Sequence, residues 1–597
     1  MKLSDYVIDS VAKLGVGRIF MLPGGGCMHL VDSLGRNRKL KYTGYLHEQA
    51  AVIAADAYAQ YRGSLGAALV TAGPGGTNAL TGVAASWIDS TPLLVLSGQA
   101  KTCDLIGGSG LRQRGIQETD IINIVKPVTK YAVTILNPAD IRYHLEKAVF
   151  LARSGRPGPV WLDIPLDVQG AMIDEKKLKG FKPPKAAGAA NSTKTCAARA
   201  IRLLNASKRP VILAGNGIRL AGARKEFLSL AKKLGVPVLT TWRAADFMPE
   251  TDPLYFGRPG SIAGRAANFV QQNSDFILTL GARLDLPQVG HNYNLFARGA
   301  KKVVVDIDPR EIAKLAMPID VKVACDAGDF VKELSRGIKK IKKKDRAPWL
   351  AQCRRWKSRY PVGDGVLGKP GGLVNTYSLI YALSGLMSGD DVLVPGSSGA
   401  CAEVTMQAFR VKTGQRVLNT PGLGSMGFGL PAASGACIAS GRRTVAIIGD
   451  GGLQHNIQAF ETIRRLNLPL KVFVLNNNGY GSIRIMQKNH FKGNYVCCDP
   501  ESGLTIPGIS KVAAAYGIRT FKIKGQAGLM AGVKKVLGMK GPIVCEVMMD
   551  PWLETAPKLS SFVNPDGSIV SKPLEDLWPF LDREEFAANM IVEPVKE

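Results

Sequence analysis

Two short stretches hold side chains whose types and spacing suit chemistry on a phosphorylated ligand. Asp450 opens the run Asp450-Gly451-Gly452. Asn477 lies in Asn476-Asn477-Asn478-Gly479-Tyr480-Gly481, 27 residues further on. A carboxylate and an amide oxygen are hard donors, suited to a hard divalent cation that also holds a diphosphate. The neighbouring glycines let backbone come close to phosphate oxygens. Either turn alone is an ordinary loop signal. A third candidate, Glu48 in His47-Glu48-Gln49, opens an alanine-rich segment. Taken alone, it is a carboxylate that favours the positive end of a helix dipole.

The elements around these residues place them. Val445 to Ile448 and Leu470 to Leu475 are short apolar runs, and Ile457, Phe460, Ile463 and Leu466 between them recur at helical spacing. Two strands joined by such a helix lie parallel with a right-handed crossover. Asp450 and Asn477 then end neighbouring strands on the edge where open α/β sheets bind ligands. The same alternation runs through the chain, with strands at Gly17 to Leu22, Leu40 to Tyr45, Ala67 to Ala72, Leu93 to Ser97, Pro210 to Ala214, Val236 to Thr240, Phe276 to Leu280 and Lys302 to Ile307. The fold class is α/β, three doubly wound parallel-sheet domains. Their expected bounds are 1–172, 194–345 and 373–550, with linkers at 173–193 and 346–372 and a tail at 551–597. The tail's aromatics, Trp552, Trp578 and Phe586 among them, predict that it docks, over the active site.

At 597 residues, 46% hydrophobic and with 66 glycines, the chain has the composition of a multidomain enzyme. No apolar run reaches the roughly 18 residues that span a bilayer. Ten scattered cysteines without a CxxC pair point to a reduced, cytoplasmic setting. The net charge of +29 is concentrated partly in Lys176, Lys177, Lys179, Lys182 and Lys185, and in Lys339, Lys340 and Lys342 to Lys344. Without aromatic–basic interleaving or a nucleic-acid motif, it reads as a solvated basic surface with anionic cofactors and substrates, not nucleic-acid binding.

Combined, Asp450-Gly451 with Asn476-Asn477 and His47-Glu48-Gln49 resemble the motifs of thiamine-diphosphate (ThDP) enzymes, in the order pyrimidine-binding, central and diphosphate-binding domain, and most closely the acetolactate synthase-like carboligases. The resemblance implies that Asp450, Asn477 and the carbonyl of Gly479 hold Mg²⁺. Cofactor contacts are implied for Gly396, Ser397, Ser398, Gly424, Met426, Gly451, Gly452, Tyr480 and Gly481, with Met426 propping the cofactor in its bent form. Glu48 is the implied catalytic residue, hydrogen-bonding N1′ of the aminopyrimidine. Gly73 to Asn78 (GPGGTN) is a structural turn near that ring. Many members bind FAD without a redox role, and Gly215, Gly217, Thr241, Gly257, Arg283, Asp306 and Asp326 fall near those contacts. A homodimer is the implied minimal unit, a tetramer its larger form. The reaction implied is decarboxylation of a 2-oxo acid, pyruvate, with transfer of the two-carbon unit to a carbonyl acceptor.

The resemblance breaks at the acceptor. Acetolactate synthases carry an Arg-Phe-Asp-Asp-Arg segment whose second arginine binds the acceptor carboxylate. Here the segment is Arg283-Leu284-Asp285-Leu286-Pro287, and proline cannot clamp a carboxylate. The tryptophan that favours 2-oxobutyrate is replaced by Met486. Arg484 is the nearby substitute, and Gln99 and Gln117 are further substrate-side candidates. Alternative readings are transfer to a nucleotide-sugar or other acceptor, simple decarboxylation, and a non-catalytic cofactor-binding subunit.

Overall fold

The computed structural model describes residues 1–184, 190–363, 367–369, 371–396, 398–563 and 569–595. It contains three parallel sheets flanked by helices. The first holds β1 (Arg18–Met21), β2 (Lys41–Gly44), β3 (Gly66–Val70), β4 (Leu93–Gln99), β5 (Tyr131–Thr134) and β6 (Pro159–Pro165), in the order β2-β1-β3-β4-β6-β5. The second holds β7 (Pro210–Ala214), β8 (Val238–Thr240), β9 (Phe276–Leu280), β10 (Lys301–Asp306) and β11 (Val321–Ala324), in the order β11-β10-β9-β7-β8. The third holds β12 (Val392–Pro395), β13 (Arg416–Val417), β14 (Thr444–Gly449), β15 (Leu470–Asn476), β16 (Arg519–Ile523) and β17 (Ile543–Met548), in the order β13-β12-β14-β15-β17-β16. Numbered within their own domains, the first and third sheets share one strand order. β3, β4, β6 and β7 are buried along their whole length, as strands covered by helices on both faces must be.

The first and third domains meet through two small-residue helices, Glu48–Arg62 and Gly429–Ser440. A Cβ added at Gly435 would stand 2.2 Å from the Ala54 carbonyl oxygen, so the two backbones touch. Beside this contact the Tyr45 hydroxyl lies 2.7 Å from Ser434 Oγ. Both sheets thereby share one continuous core.

Three sequence expectations change. The crossover helix after β14 is two pieces, Asp450–Gln454 and Ala459–Arg465, because the Asn456 amide between them reaches back to the Gly427 carbonyl (2.9 Å). Within the expected second linker, Ala347–Arg359 is a helix whose Trp349 and Trp356 are buried in the central core; residues 364–366 and 370 of that linker, like 185–189 of the first, lie outside the described residues. The tail docks mainly on the central domain. Asn268 donates to the Leu574 carbonyl (2.6 Å), Gln272 to Glu575 (2.7 Å), and Trp356 to Asn589 (2.8 Å). Among the described residues of the tail, only the first reach the Asn turn, where Trp552 lies against the Arg484 guanidinium.

Candidate active site

β14 and β15 run side by side with Gly449 opposite Leu475, so Asp450 and Asn477 emerge together at the carboxyl edge of the third sheet. Asp450 is 2% exposed and starts its helix. Its carboxylate accepts from the Gly451 amide (2.8 Å) and the Gly479 amide (3.1 Å) and forms no ion pair among the described residues. Burial pushes its pKa up to about 6, against the lowering pull of those backbone N–H groups. Asn477 Oδ1 is buried without a hydrogen-bond partner. A buried carboxylate lacking a counter-charge beside an orphaned amide oxygen is what a divalent cation satisfies. Mg²⁺ keeps water and phosphate oxygens in most of its positions, so one carboxylate among its protein donors is enough. The donor set therefore fits Mg²⁺.

The glycines shape the rest of this pocket. Gly479, at φ 142°, brings its backbone against the Cys498 carbonyl, and the Tyr480 amide donates to that oxygen (2.8 Å). The Tyr480 ring lies on Gly451, where a Cβ would be 2.3 Å from it. A Cβ at Gly481 would collide with the Asn477 amide at 2.3 Å. At Gly452 a Cβ would meet nothing within 4 Å, which leaves room for a ligand. Gly396 anchors the loop after β12 through its amide to Ile447 (2.7 Å), and Gly399 in that loop touches Ser482. Ser398 lines the large cavity described below, while Ser397 lies outside the described residues. Gly424 has φ 64°, and Met426 beyond it is 36% exposed.

Glu48 belongs to the first domain. It begins the helix Glu48–Arg62, whose His47 cap accepts the Gln49 amide on Nδ1 (3.2 Å). Its carboxyl group is 7% exposed, and Oε2 accepts a hydrogen bond from Asn78 Nδ2 (3.1 Å). Asn78 ends the Gly73–Asn78 turn, a contact that the motif itself did not disclose.

The substrate candidates separate. Arg484 is 3% exposed, and its guanidinium donates to the carbonyls of Asn477 (3.2 Å), Asn478 (3.0 Å) and Pro551 (3.3 Å) and pairs with Asp499 (3.2 Å). It pins the Asn turn and has no donor left for an acceptor carboxylate, so the expected substitution for the missing arginine does not occur. Gln99 is likewise committed. Its amide donates to Asp163 (3.1 Å) and the Thr119 carbonyl (2.9 Å) and accepts from Ala100 (2.9 Å). Gln117, at φ 57°, is exposed, and Met486 is exposed on the helix Gly481–His490. Asp163 escaped the sequence reading; a lone carboxylate inside the apolar run of β6 was its signal.

A cavity of about 540 Å³ opens at the carboxyl edge of the central sheet. Gly217, Thr241, Arg283, Asp306 and Asp326 line it, as do Arg156, Arg243, Pro287, Ser398 and Glu403. Gly215 and Gly257 lie behind the wall. A Cβ at Gly215 would be 2.1 Å from the Gly281 carbonyl oxygen, and the Gly257 carbonyl accepts from Thr240 (3.1 Å). Burial raises the Asp306 pKa, and Asp326 caps the helix Ala327–Arg336 through the Gly328 amide (2.7 Å).

Three family models match the chain: "Thiamine pyrophosphate enzyme, N-terminal TPP binding domain" over residues 1–124, "central domain" over 197–334, and "C-terminal TPP binding domain" over 397–547. The chain is 31% identical to "Acetolactate synthase 2, chloroplastic" of Zea mays, over 94% of this chain and 87% of that protein. It is 31% identical to the "Acetolactate synthase large subunit" of Corynebacterium glutamicum, over 98% and 92%. It is 32% identical to the "Probable acetolactate synthase large subunit" of Methanococcus aeolicus, over 92% of each. With the Asp450–Asn477 edge and the buried Glu48 in the expected domains, the chain belongs to the thiamine-diphosphate-dependent enzymes, as an acetolactate synthase-like carboligase of the large-subunit type.

Proposed function

We propose that the protein decarboxylates a 2-oxo acid, pyruvate, with ThDP and Mg²⁺ and joins the two-carbon unit to a carbonyl acceptor. The observation that carries this reading is Asp450, buried without a counter-charge next to the orphaned Asn477 Oδ1. Asp450, Asn477 and the Gly479 carbonyl would hold Mg²⁺, and the open face of Gly452, next to the Gly451 backbone, would receive the diphosphate. When bound, ThDP supplies the electron sink for decarboxylation. Glu48 would hydrogen-bond the aminopyrimidine ring, and its burial keeps water from competing for that contact.

The acceptor wall favours a second reading, transfer to an acceptor other than a 2-oxo acid. Pro287 stands in the cavity wall with no guanidinium of its own, and Arg484 is spent on carbonyls. The decisive experiment incubates the protein with pyruvate, ThDP and Mg²⁺, alone and with 2-oxobutyrate or nucleotide-sugar acceptors, and identifies products by mass spectrometry. Pyruvate-dependent CO₂ release with a two-carbon adduct of a 2-oxo acid supports the first reading. An adduct formed only with the sugar supports the second, and absence of CO₂ release overturns both.

The central cavity is assigned to non-redox FAD. Its arginines suit a diphosphate, its half-buried acids Asp306 and Asp326 suit ribose hydroxyls, and flavin absorbance of the purified protein tests it. A homodimer is the proposed minimal unit, in a cytoplasmic setting. Glu48 and Asp450 stand on different sheets, and Ile116, 92% exposed, and Met486 lie bare on those two domains. All ten cysteines are unpaired, and no described helix is long and apolar enough to cross a membrane.

A further inference from the structure

We infer that Asn78 is a positioning residue for Glu48, deciding which carboxyl oxygen carries the proton. This rests on the reading of Glu48 as the residue that addresses the cofactor ring. The turn Gly73–Asn78 had no assigned part beyond shape, yet its last side chain makes the contact recorded above, Asn78 Nδ2 to Glu48 Oε2 at 3.1 Å.

The chemistry follows from what each atom can do. An amide nitrogen only donates, so Oε2 must accept. The carbonyl oxygen of a carboxyl group accepts better than its hydroxyl oxygen, so the Asn78 contact favours a proton on Oε1 over one on Oε2. Gly75 lies beside Oε1 and presents no side chain to it: a Cβ there would stand 3.7 Å from that oxygen, in van der Waals contact. The group is thus divided into an anchored acceptor and a free donor. Without the anchor, the carboxyl group can rotate about its terminal torsion, which is broad and two-fold. It then presents its proton to the ring for only part of the time. His47, beside Glu48 in sequence, is turned to cap the helix, its Nδ1 accepting the Gln49 amide (3.2 Å).

The chain positions Asn78 by backbone alone. Gly73 adopts φ 58° and lies against the Gln117 carbonyl, where a Cβ would be 2.5 Å away. Gly76 packs on Ile121, where a Cβ would be 2.9 Å from its side chain. The short helix Pro74–Asn78 is held from below by these contacts, and Asn78 at its end is exposed. Replacing an exposed side chain does not disturb the core. The function of Asn78 can therefore be separated from folding.

The test measures hydrogen–deuterium exchange at C2 of ThDP on the enzyme reconstituted with ThDP and Mg²⁺, from pH 5 to pH 9, for wild type, Asn78→Ala, Asn78→Asp and Glu48→Gln. Asn78→Ala is expected to slow exchange about 10- to 100-fold, the usual loss for an orienting partner one shell out, with ThDP affinity within about threefold of wild type. Asn78→Asp puts a second carboxyl group on Glu48 and is expected to move the pH midpoint of exchange upward by about a unit or more. A purely structural role would lower folded yield or ThDP affinity and leave that midpoint in place; such a result overturns the inference. So does Asn78→Ala exchanging at the wild-type rate while Glu48→Gln is slow, which leaves the role of Glu48 intact. Glu48→Gln at the wild-type rate removes both roles. Should Asn78→Ala unfold, the near-isosteric Asn78→Asp carries the decision through its midpoint.

Discussion

The first and third sheets share a strand order, and up to their last residues they are built alike. Gln99 closes β4 and Asn476 closes β15. Each donates its side-chain amide to a carboxylate on the neighbouring strand: Gln99 to Asp163 at 3.1 Å, Asn476 to Glu546 at 2.7 Å. The register matches too, since Asp163 lies opposite Ser97 and Glu546 opposite Val474, each two residues before the closing amide. Beyond this shared lock the two edges diverge. In the first domain, neighbouring side chains and backbone fill the space. A Cβ at Gly24 would be 2.5 Å from Thr71 Oγ1, and one at Gly98 would be 2.1 Å from the Gly26 carbonyl oxygen. In the third domain, Gly452 faces nothing, and Asp450 and Asn477 lack partners for their charge and lone pairs. What makes an edge a ligand site is an uncompensated donor set, and strand order alone supplies none.

The sharpest way to break the comparison is to remove the carboxylate that the open edge sets beside an orphaned amide oxygen. Asp450→Ala is expected to abolish Mg²⁺-dependent ThDP retention. Loss of an orienting neighbour of a metal already costs about 10- to 100-fold, and loss of a ligand costs more. Asp163→Asn, at the closed edge, is expected to change ThDP affinity less than about threefold. Titration calorimetry with ThDP at fixed Mg²⁺ reads both. An Asp450→Ala protein that still copurifies with cofactor removes the distinction between the two edges.

A second, smaller effect concerns how the two domains face each other. The helices Glu48–Arg62 and Gly429–Ser440 follow the second strand of their respective sheets, so the domains pack through equivalent elements. Gly435→Ala would normally stiffen a helix and stabilise it slightly. Here the added carbon meets the Ala54 carbonyl at 2.2 Å, backbone that cannot rotate away. The clash wins, and a net loss of about 1–3 kcal/mol is expected in denaturant unfolding. Gly441→Ala, a control on the same helix, has open space but φ 66°, so its loss comes from backbone strain alone. Equal losses at both positions would mean that the helices do not hold each other at Gly435.

Much of this was legible beforehand, because it is local. β14 and β15, the turns that end them, and the helix that begins at Glu48 follow from runs of a few residues. The partners were not legible. Arg484 stood one turn beyond the Asn motif and read as a free cation, yet it is consumed by backbone carbonyls, which every residue has and no pattern marks. Gln99 read as a substrate-side amide because Asp163, 64 residues later, is on a strand that pairs with β4 only once the crossover is made. The tail's aromatics announced docking but not the surface. That depends on amides such as Asn268 and Gln272, buried in the central domain roughly 300 residues upstream.

The finest test of the comparison lies in the two locks themselves. Asp163 is 1% exposed, and burial raises its pKa to about 7 despite the donors Ser97, Gln99 and Thr134, with no cation among its hydrogen-bonding partners. At Glu546 burial also pulls upward, but Ser510, Asn476 and the charge of Lys522 outweigh it, and its pKa falls below the usual value. The stability consequences have opposite signs. Below about pH 4, Asp163 is protonated in both the folded and the unfolded chain. As pH rises towards 7, only the unfolded chain loses that proton, and the folded state loses relative stability. Above about pH 7 the difference is constant. Wild type should therefore weaken relative to Asp163→Asn between pH 4 and pH 7, with a slope of at most about 1.4 kcal/mol per pH unit. Glu546 contributes stability above its unfolded pKa near 4.3 that is lost as pH falls through its lower folded value. Glu546→Gln should accordingly be most costly at neutral pH and least costly in acid. Urea unfolding of both variants and wild type from about pH 3 to about pH 8 measures the two slopes, that of Glu546 below about pH 4.3 and that of Asp163 above about pH 4. If they have the same sign, the locks are electrostatically alike, and the two edges differ only beyond their last strand residues.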